Sequence, residues 1–330
     1  MNQPSLYPLR FDPIYQYRLW GGRHLSGLLA APLPGNGPIG EAWVLSDRED
    51  HPSRVSDGPL QGRTICQLMQ QFPGQLMGEL AHRFHRFPLL LKFLDVQKML
   101  SVQVHPSDNR PDLLPAGESG KTEAWIVLEA TPESRIYDGL KPGTTAAELR
   151  KSLSGGTLSD HLVRIAPKVG DAVFTPAGTV HSLGGDVLVF EIQENSDVTF
   201  RLDDWGHIDP KTGKPRPLQV EQAMASIDYR NSASGLVTPV VEETTPIHRE
   251  QIFNDKHFLL WRISGQSPFL VGTLDAPRVL VCVQGAGHID YAAETCAIAK
   301  GEVWLLPAAI GICVVRPVGT ITLFEIAIPK

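Results

Sequence analysis

What the chain lacks narrows it first. It has no excess of positive charge: 30 Lys and Arg against 36 Asp and Glu leave a formal charge of −6. That is the wrong sign for gripping a phosphate backbone, so no nucleic-acid partner is expected. It has no apolar run long enough to span a bilayer, and no membrane partner is expected. The longest run, Val303 to Val315, is broken by Pro307 and Gly311 and reads as strand and turn. The opening MNQPSLYPLRF has no basic stretch followed by an apolar one, so no secretory leader is expected and a cytoplasmic location is. Cysteine is scarce. Cys66, Cys282, Cys296 and Cys313 form no CxxC pair. Buried free thiols are expected rather than disulfides, in keeping with a reducing compartment.

What is present points to turns and strands. Gly 30 and Pro 27 together are somewhat high, as in a mainly β core with many connections. A length of 330 residues allows two domains. Two stretches have helical texture and read as small insertions. In residues 61–87, Thr64 precedes Ile65, Leu68, Met69 and Phe72. In residues 138–168, Thr144 or Thr145 caps Ala146 to Leu153 and Gly155-Gly156 ends it. Val220 to Ser226 reads as a short helix and 231–243 as a linker. His82 and His85 lie three apart in an Arg-rich tract and read as surface groups.

The chemistry-bearing stretch is Gly170 to His181, GDAVFTPAGTVH. An apolar run enters Pro176-Ala177-Gly178 and a second extended run leaves it, a hairpin signal that delivers His181 to the returning strand. Upstream, Ser101, Gln103 and His105 alternate with Val102 and Val104, so the three polar side chains share one face of a strand. Glu123 opens a further strand, on the same side as Trp125 and Val127. An amide oxygen, two imidazoles and a carboxylate form a mixed N/O set. Gln103, His105, Glu123 and His181 are therefore candidate ligands for zinc, one ion per chain, and less selectively for iron, manganese or cobalt. Lys92 is the one cation in the apolar run Pro88 to Asp95, where it must be paired or line a cavity.

The Gly170–His181 pattern resembles the second motif of cupins. The first motif departs from a typical cupin, with Gln103 where a His is usual and the acidic ligand eighteen residues after His105. That departure resembles the type I mannose-6-phosphate isomerases. LSVQVHPSD at 100–108, GKTEAW at 120–125, PAGTVHSLGG at 176–185 and EIQENSDVTFRLDDWG at 191–206 are similar to that family's patterns, as are the WGG at 20–22 and the segment around Glu41. Where the family often has a His before the Lys of its second motif, this chain has Gly120.

The resemblance implies a mainly β protein of two cupin-like jelly-roll modules. Residues 1–235 would be catalytic. Residues 236–330 would repeat the architecture without a metal, since Ala309 and Ile312 stand where Gly178 and His181 would be. It implies a metal-dependent aldose–ketose isomerase that interconverts mannose 6-phosphate and fructose 6-phosphate through an enediol. Arg201 falls on the family's active-site arginine, Asp197 on an acidic neighbour of it and Lys92 on a lysine beside the site. Lys121 and Arg201 are expected on phosphate or enediolate, and Ser101 and Glu41 near the sugar. The base is left among Asp197, Lys121, Lys92 and a metal-bound water. A monomer or weak homodimer is expected. The rival readings are an iron-dependent cupin dioxygenase, which would consume oxygen, and a sugar-binding cupin that converts nothing.

Overall fold

The computed structural model describes residues 6–230 and 235–330. The expected linker at 231–243 lies partly outside the described residues.

Three sheets are stacked, and the middle one explains the sequence texture. It has six strands, in the order Ile14–Gly22, Ile39–Leu45, Leu89–Val96, Val187–Glu194, Glu123–Glu129 and Ala172–Thr175. A five-stranded sheet covers one face, in the order Phe200–Asp203, Val102–Val104, His181–Gly184, Arg135–Leu140 and Leu162–Ile165. A nine-stranded sheet built from the C-terminal third covers the other face, and the N-terminal strand Leu9–Arg10 pairs with its Val303–Leu306. With both faces covered, the central strands are buried at every position, and they read as continuous apolar runs instead of alternating ones.

Side-chain parity then sorts the residues. Leu89, Leu91, Phe93, Phe190 and Ile192 pack towards the C-terminal sheet, together with Phe253, Phe258, Phe324 and Ile326. Leu94, Val96, Trp125, Val127, Val187 and Val189 pack the opposite way, against Ile136 and Leu183 of the five-stranded sheet. Lys92, Glu123 and Glu191 share that second parity, so three buried charges point into the space between the two N-terminal sheets.

The insertions are helical as expected. Thr64 and Thr145 each form a capping box, with Gln67 and Glu148 respectively, and Gly156 ends its helix in the left-handed region at φ +67°. The second insertion packs Leu149 and Leu158 on Val102 and Val104, the outer side of the strand that carries Gln103. The helix Val220–Ser226 forms as read.

The hairpin expected at Gly170–His181 is corrected. Ala172–Thr175 pairs with Glu123–Glu129 in the six-stranded sheet, and His181–Gly184 pairs with Val102–Val104 and Arg135–Leu140 in the five-stranded one. The Pro-Ala-Gly turn therefore carries the chain across from one sheet to the other. Gly178 makes the crossing at φ +91°, where its N–H donates to His105 O at 2.8 Å and any Cβ would lie 3.2 Å from Ser226 O. Turn residues report that the chain reverses, and both a hairpin and a sheet-to-sheet corner reverse it. The corresponding C-terminal strands, Val303–Leu306 and Ile312–Ala327, likewise do not pair with each other. Ile312, in the place of His181, is 52 % exposed. Glu325, in the place of Glu191, is buried and held by Arg249 at 3.2 Å.

Candidate active site

Register brings the candidate ligands together. His181 lies opposite Gln103 in the five-stranded sheet, and Arg201 lies opposite Gln103 on its other side. Glu123 reaches the same point from the facing sheet. His105, Glu123 and His181 are buried, with ligand atoms all within 4.8 Å of one another. Each imidazole is oriented through its Nδ1–H, which donates to a backbone carbonyl: His105 to Val198 at 2.8 Å and His181 to Thr179 at 2.9 Å. That fixes the tautomer and turns both Nε2 lone pairs towards Glu123, at 3.3 and 3.2 Å.

The donor set fits a divalent metal. His105 Nε2 and Glu123 Oε1 are buried without a hydrogen-bond partner, and Glu123 Oε2 has the Lys121 ammonium at 2.7 Å, an arrangement with room for an ion and a cost without one. The Gln103 side-chain amide lies 3.2 Å from His181 Nε2. A half-turn of that amide, between two atoms of nearly equal size, presents its oxygen to the same centre. As placed, Ser101 Oγ donates to Gln103 Oε1 at 3.2 Å; after the half-turn the amide N–H donates to Ser101 Oγ instead, so the serine seats the amide in either orientation. Electrostatics keep the donors unprotonated. Burial and then Lys121 push His105 down to about 3. Burial works to raise the Glu123 carboxyl, yet Lys121, 2.7 Å away, together with the two histidines holds it well below the usual range.

Gln103 and Lys121 line a cavity of about 520 Å³ whose wall also includes Glu41, Lys92, Ser101, Asp197 and Arg201. His181 and Glu123 lie directly behind them, 3.2 Å from the Gln103 amide and 2.7 Å from the Lys121 ammonium. Lys92 is ion-paired with Glu191 at 3.1 Å and lies 4.0 Å from Asp197. Burial alone would lower its ammonium, but Glu191 and Glu41 raise it, so it stays a cation. Glu41 receives a two-pronged Arg18 fork at 2.9 and 3.0 Å and the Trp43 indole N–H at 2.7 Å. Arg201 is different. It has no ion pair among the described residues, its Nε is buried without a partner, and burial and the neighbouring Arg216 work against its charge.

The Arg18–Glu41 pair has a measurable consequence. Arg18 and Lys92 overcome the burial penalty and hold Glu41 at about 2, against an ordinary 4.5. The stabilisation is therefore complete above pH 4.5 and is lost as pH falls towards 2, about 3 kcal/mol in all. Thermal melts at pH 6 and pH 3 are expected to show a smaller acid-induced loss for Glu41→Gln than for the wild type. Equal losses would remove Glu41 from the acid response.

Four charged residues of the wall, Arg18, Glu191, Asp209 and Arg216, were not picked out from sequence. Glu191 was within reach of the argument used for Lys92, a charge inside a buried strand. Arg18 sits in a strand of mixed texture and Arg216 in a Pro-rich basic loop, where periodicity carries no signal; Arg216 pairs with Asp204 through Nε at 2.8 Å. The Gly120 departure also has a cause. A Cβ there would lie 2.6 Å from Asp108 N, so the loop at 106–108 occupies the place of any side chain.

Comparison with known proteins agrees with this geometry. Residues 9–124 match the family model described as phosphomannose isomerase type I, catalytic domain. Mannose-6-phosphate isomerase ManA of Bacillus subtilis is 32% identical over 323 residues, covering 92% of this chain and 94% of its own. The chain belongs to the type I phosphomannose isomerases. A second member, the mannose-6-phosphate isomerase of Streptococcus mutans, is 31% identical over 306 residues, with 92% and 93% covered. The crystal structure of the B. subtilis mannose 6-phosphate isomerase superposes with a TM-score of 0.89 at 28% identity, covering 97% of this chain and 99% of that one. For this phosphomannose isomerase the mainly β cupin fold expected from sequence therefore holds, and the buried His–Glu–His constellation suits the family's metal dependence. No helix among the described residues is long and apolar enough to cross a membrane.

Proposed function

We infer that this isomerase interconverts mannose 6-phosphate and fructose 6-phosphate in the 520 Å³ cavity, with zinc, one ion per chain, held by Gln103, His105, Glu123 and His181. The observation that carries the reading is a buried N/O donor set, with His105 Nε2 and Glu123 Oε1 unsatisfied, whose fourth member Gln103 shares the wall of one cavity with an Arg201 that has no ion pair among the described residues. A divalent ion in that set supplies a Lewis acid to the sugar oxygens at C1 and C2.

The chain's own groups divide the remaining work. Arg201 offers a planar fork with no competing carboxylate and takes the phosphate. Lys121, on the cavity wall beside Glu123, meets the charge that develops on the enediolate oxygen. Ser101 keeps the Gln103 amide in place, and Glu41 holds Arg18 at the sugar end. Lys92 is locked as a cation by Glu191 and is a poor base. Asp197 has the half-exposed carboxylate on the wall, its one ion pair among the described residues being the long one to Lys92. It accepts the proton from C2 of the open-chain aldose; the C–H electrons form the C1–C2 double bond as the C1=O π electrons move to O1, which takes up a proton. O2 then loses its proton, its electrons form C2=O, and the C1–C2 π electrons take the proton from Asp197 at C1. Residues 1–235 act in this reading as the catalytic module and 236–330 as a metal-free cupin-like one. The protein works in the cytoplasm as a monomer or weak homodimer, without nucleic-acid or membrane partners, in line with its −6 charge.

The test is direct. Zinc-loaded protein incubated with fructose 6-phosphate is expected to form mannose 6-phosphate, to stop after chelation, to resume with zinc and to consume no oxygen. Absence of conversion in folded, metal-loaded protein sinks the assignment.

A further inference from the structure

The C-terminal module carries no ligand, yet one of its side chains reaches the strand that does. The turn between Ile247–Asn254 and Leu259–Gly265 is closed by Asp255, whose N–H donates to Phe258 O at 3.1 Å and whose carboxylate accepts the His257 N–H at 2.9 Å. Phe258 is fully buried and packs edge-on against Phe174 of the central sheet, at 6.1 Å between rings. That anchors the turn against the catalytic half. His257 Nδ1 then lies 3.0 Å from Glu194, which pushes the imidazole above its ordinary value.

Glu194 ends its strand with both ends of one residue in hand. Its N–H donates to Thr122 O at 3.1 Å, and its carboxylate accepts Thr122 N–H at 2.8 Å. Thr122 is the residue between Lys121 and the candidate ligand Glu123. Its hydroxyl also accepts Ala177 N–H at 3.4 Å, from the turn that leads to His181. A single carboxylate therefore fixes the backbone between Lys121 and Glu123, whose side chains meet at 2.7 Å, and the group that steers this carboxylate comes from the other module.

We propose that His257 is a positioning residue of the isomerase: through Glu194 and Thr122 it holds the Lys121–Glu123 segment in its metal-binding geometry. The C-terminal module thereby sets metal affinity and turnover as well as covering the central sheet. Outer contacts of this kind typically contribute about 10-fold or more in metal affinity or activity. The inference rests on the metal site proposed above.

The experiment uses the full chain, with zinc affinity of the metal-free protein measured by chelator competition, kcat and KM for mannose 6-phosphate, and Tm. His257→Ala is expected to weaken zinc binding and lower kcat by about 10-fold each with KM little changed. His257→Asn, whose amide N–H falls near the Nδ1–H position, is expected to restore most of both. Val315→Ala, in the C-terminal module's own core and outside the turn, is expected to lower Tm and leave zinc affinity alone. If His257→Ala does not fold, His257→Gln, with its donor displaced by one methylene, takes its place in the comparison with Asn. The inference is overturned if the His257 variants lower Tm while zinc affinity and kcat stay at wild-type values, or if Val315→Ala shifts zinc affinity as much as His257→Ala. Wild-type protein that binds no zinc overturns the metal site and this inference together.

Discussion

His181→Ala is expected to abolish stoichiometric metal binding and to lower kcat by about 10³-fold. The imidazole is fully buried, its Nδ1–H is spent on the Thr179 carbonyl, and its Nε2 faces Glu123. Among the described residues no other His, Cys, Asp or Glu joins His105 and Glu123 at that point to replace the lone pair. A Lewis acid at a developing oxyanion contributes several kcal/mol, and about 1.4 kcal/mol is a tenfold change in rate, so losing the ion costs about three decades. Metal content by elemental analysis and kcat measured on the same sample decide the matter. A variant that keeps one metal per chain and turns over within tenfold of wild type removes His181 from the ligand set. The fold is expected to survive, since His181–Gly184 keeps its ladders to the two neighbouring strands.

How much of this was legible beforehand depends on which interaction decides each residue. Helix caps are local: Thr64 was legible as one and the second lay between Thr144 and Thr145, where the structure selects Thr145, the one with a Glu three residues on. The facing of Gln103 and His105 is also local, set by strand parity. Strand partnership is not local. Pro176 and Gly178 specify a reversal, while the sheet each strand joins is decided by which long-range ladders bury it best, and the expected hairpin became a corner between sheets. The same limit hid Arg18 and Arg216, whose importance lies in contacts 23 and 12 residues away, with Glu41 and Asp204. His257 lies 63 residues from Glu194, in a turn between strands of a different sheet, and no pattern in the chain joins them. Lys92 shows the opposite case. A cation in the middle of an apolar strand requires an acidic neighbour whatever the fold, and Glu191 is that neighbour in register across the ladder.

Arg201→Ala is expected to lower kcat/KM by about 10² to 10³-fold while metal content stays at the wild-type level. Removing one member of a buried, charge-assisted pair costs about 2–5 kcal/mol, and the lower part of that range already spans about two decades. Metal content holds because Arg201 meets Gln103 through the backbone ladder, which alanine preserves, and because its main-chain N–H keeps the Gln219 side-chain oxygen at 3.2 Å. Stability is expected to move the other way. A guanidinium that is mostly buried, has an unpartnered Nε and sits beside Arg216 is a cost to the folded chain in the absence of an anion, so alanine is expected to leave Tm unchanged or higher. Inorganic phosphate separates this from a general loosening of the site: it should raise the Tm of the wild type and not of the variant. Arg201→Lys should recover part of the rate, since it restores the charge without the fork. If metal content falls in proportion to activity, Arg201 supports the metal rather than the phosphate, and the division of labour between Arg201 and the metal ligands has to be redrawn.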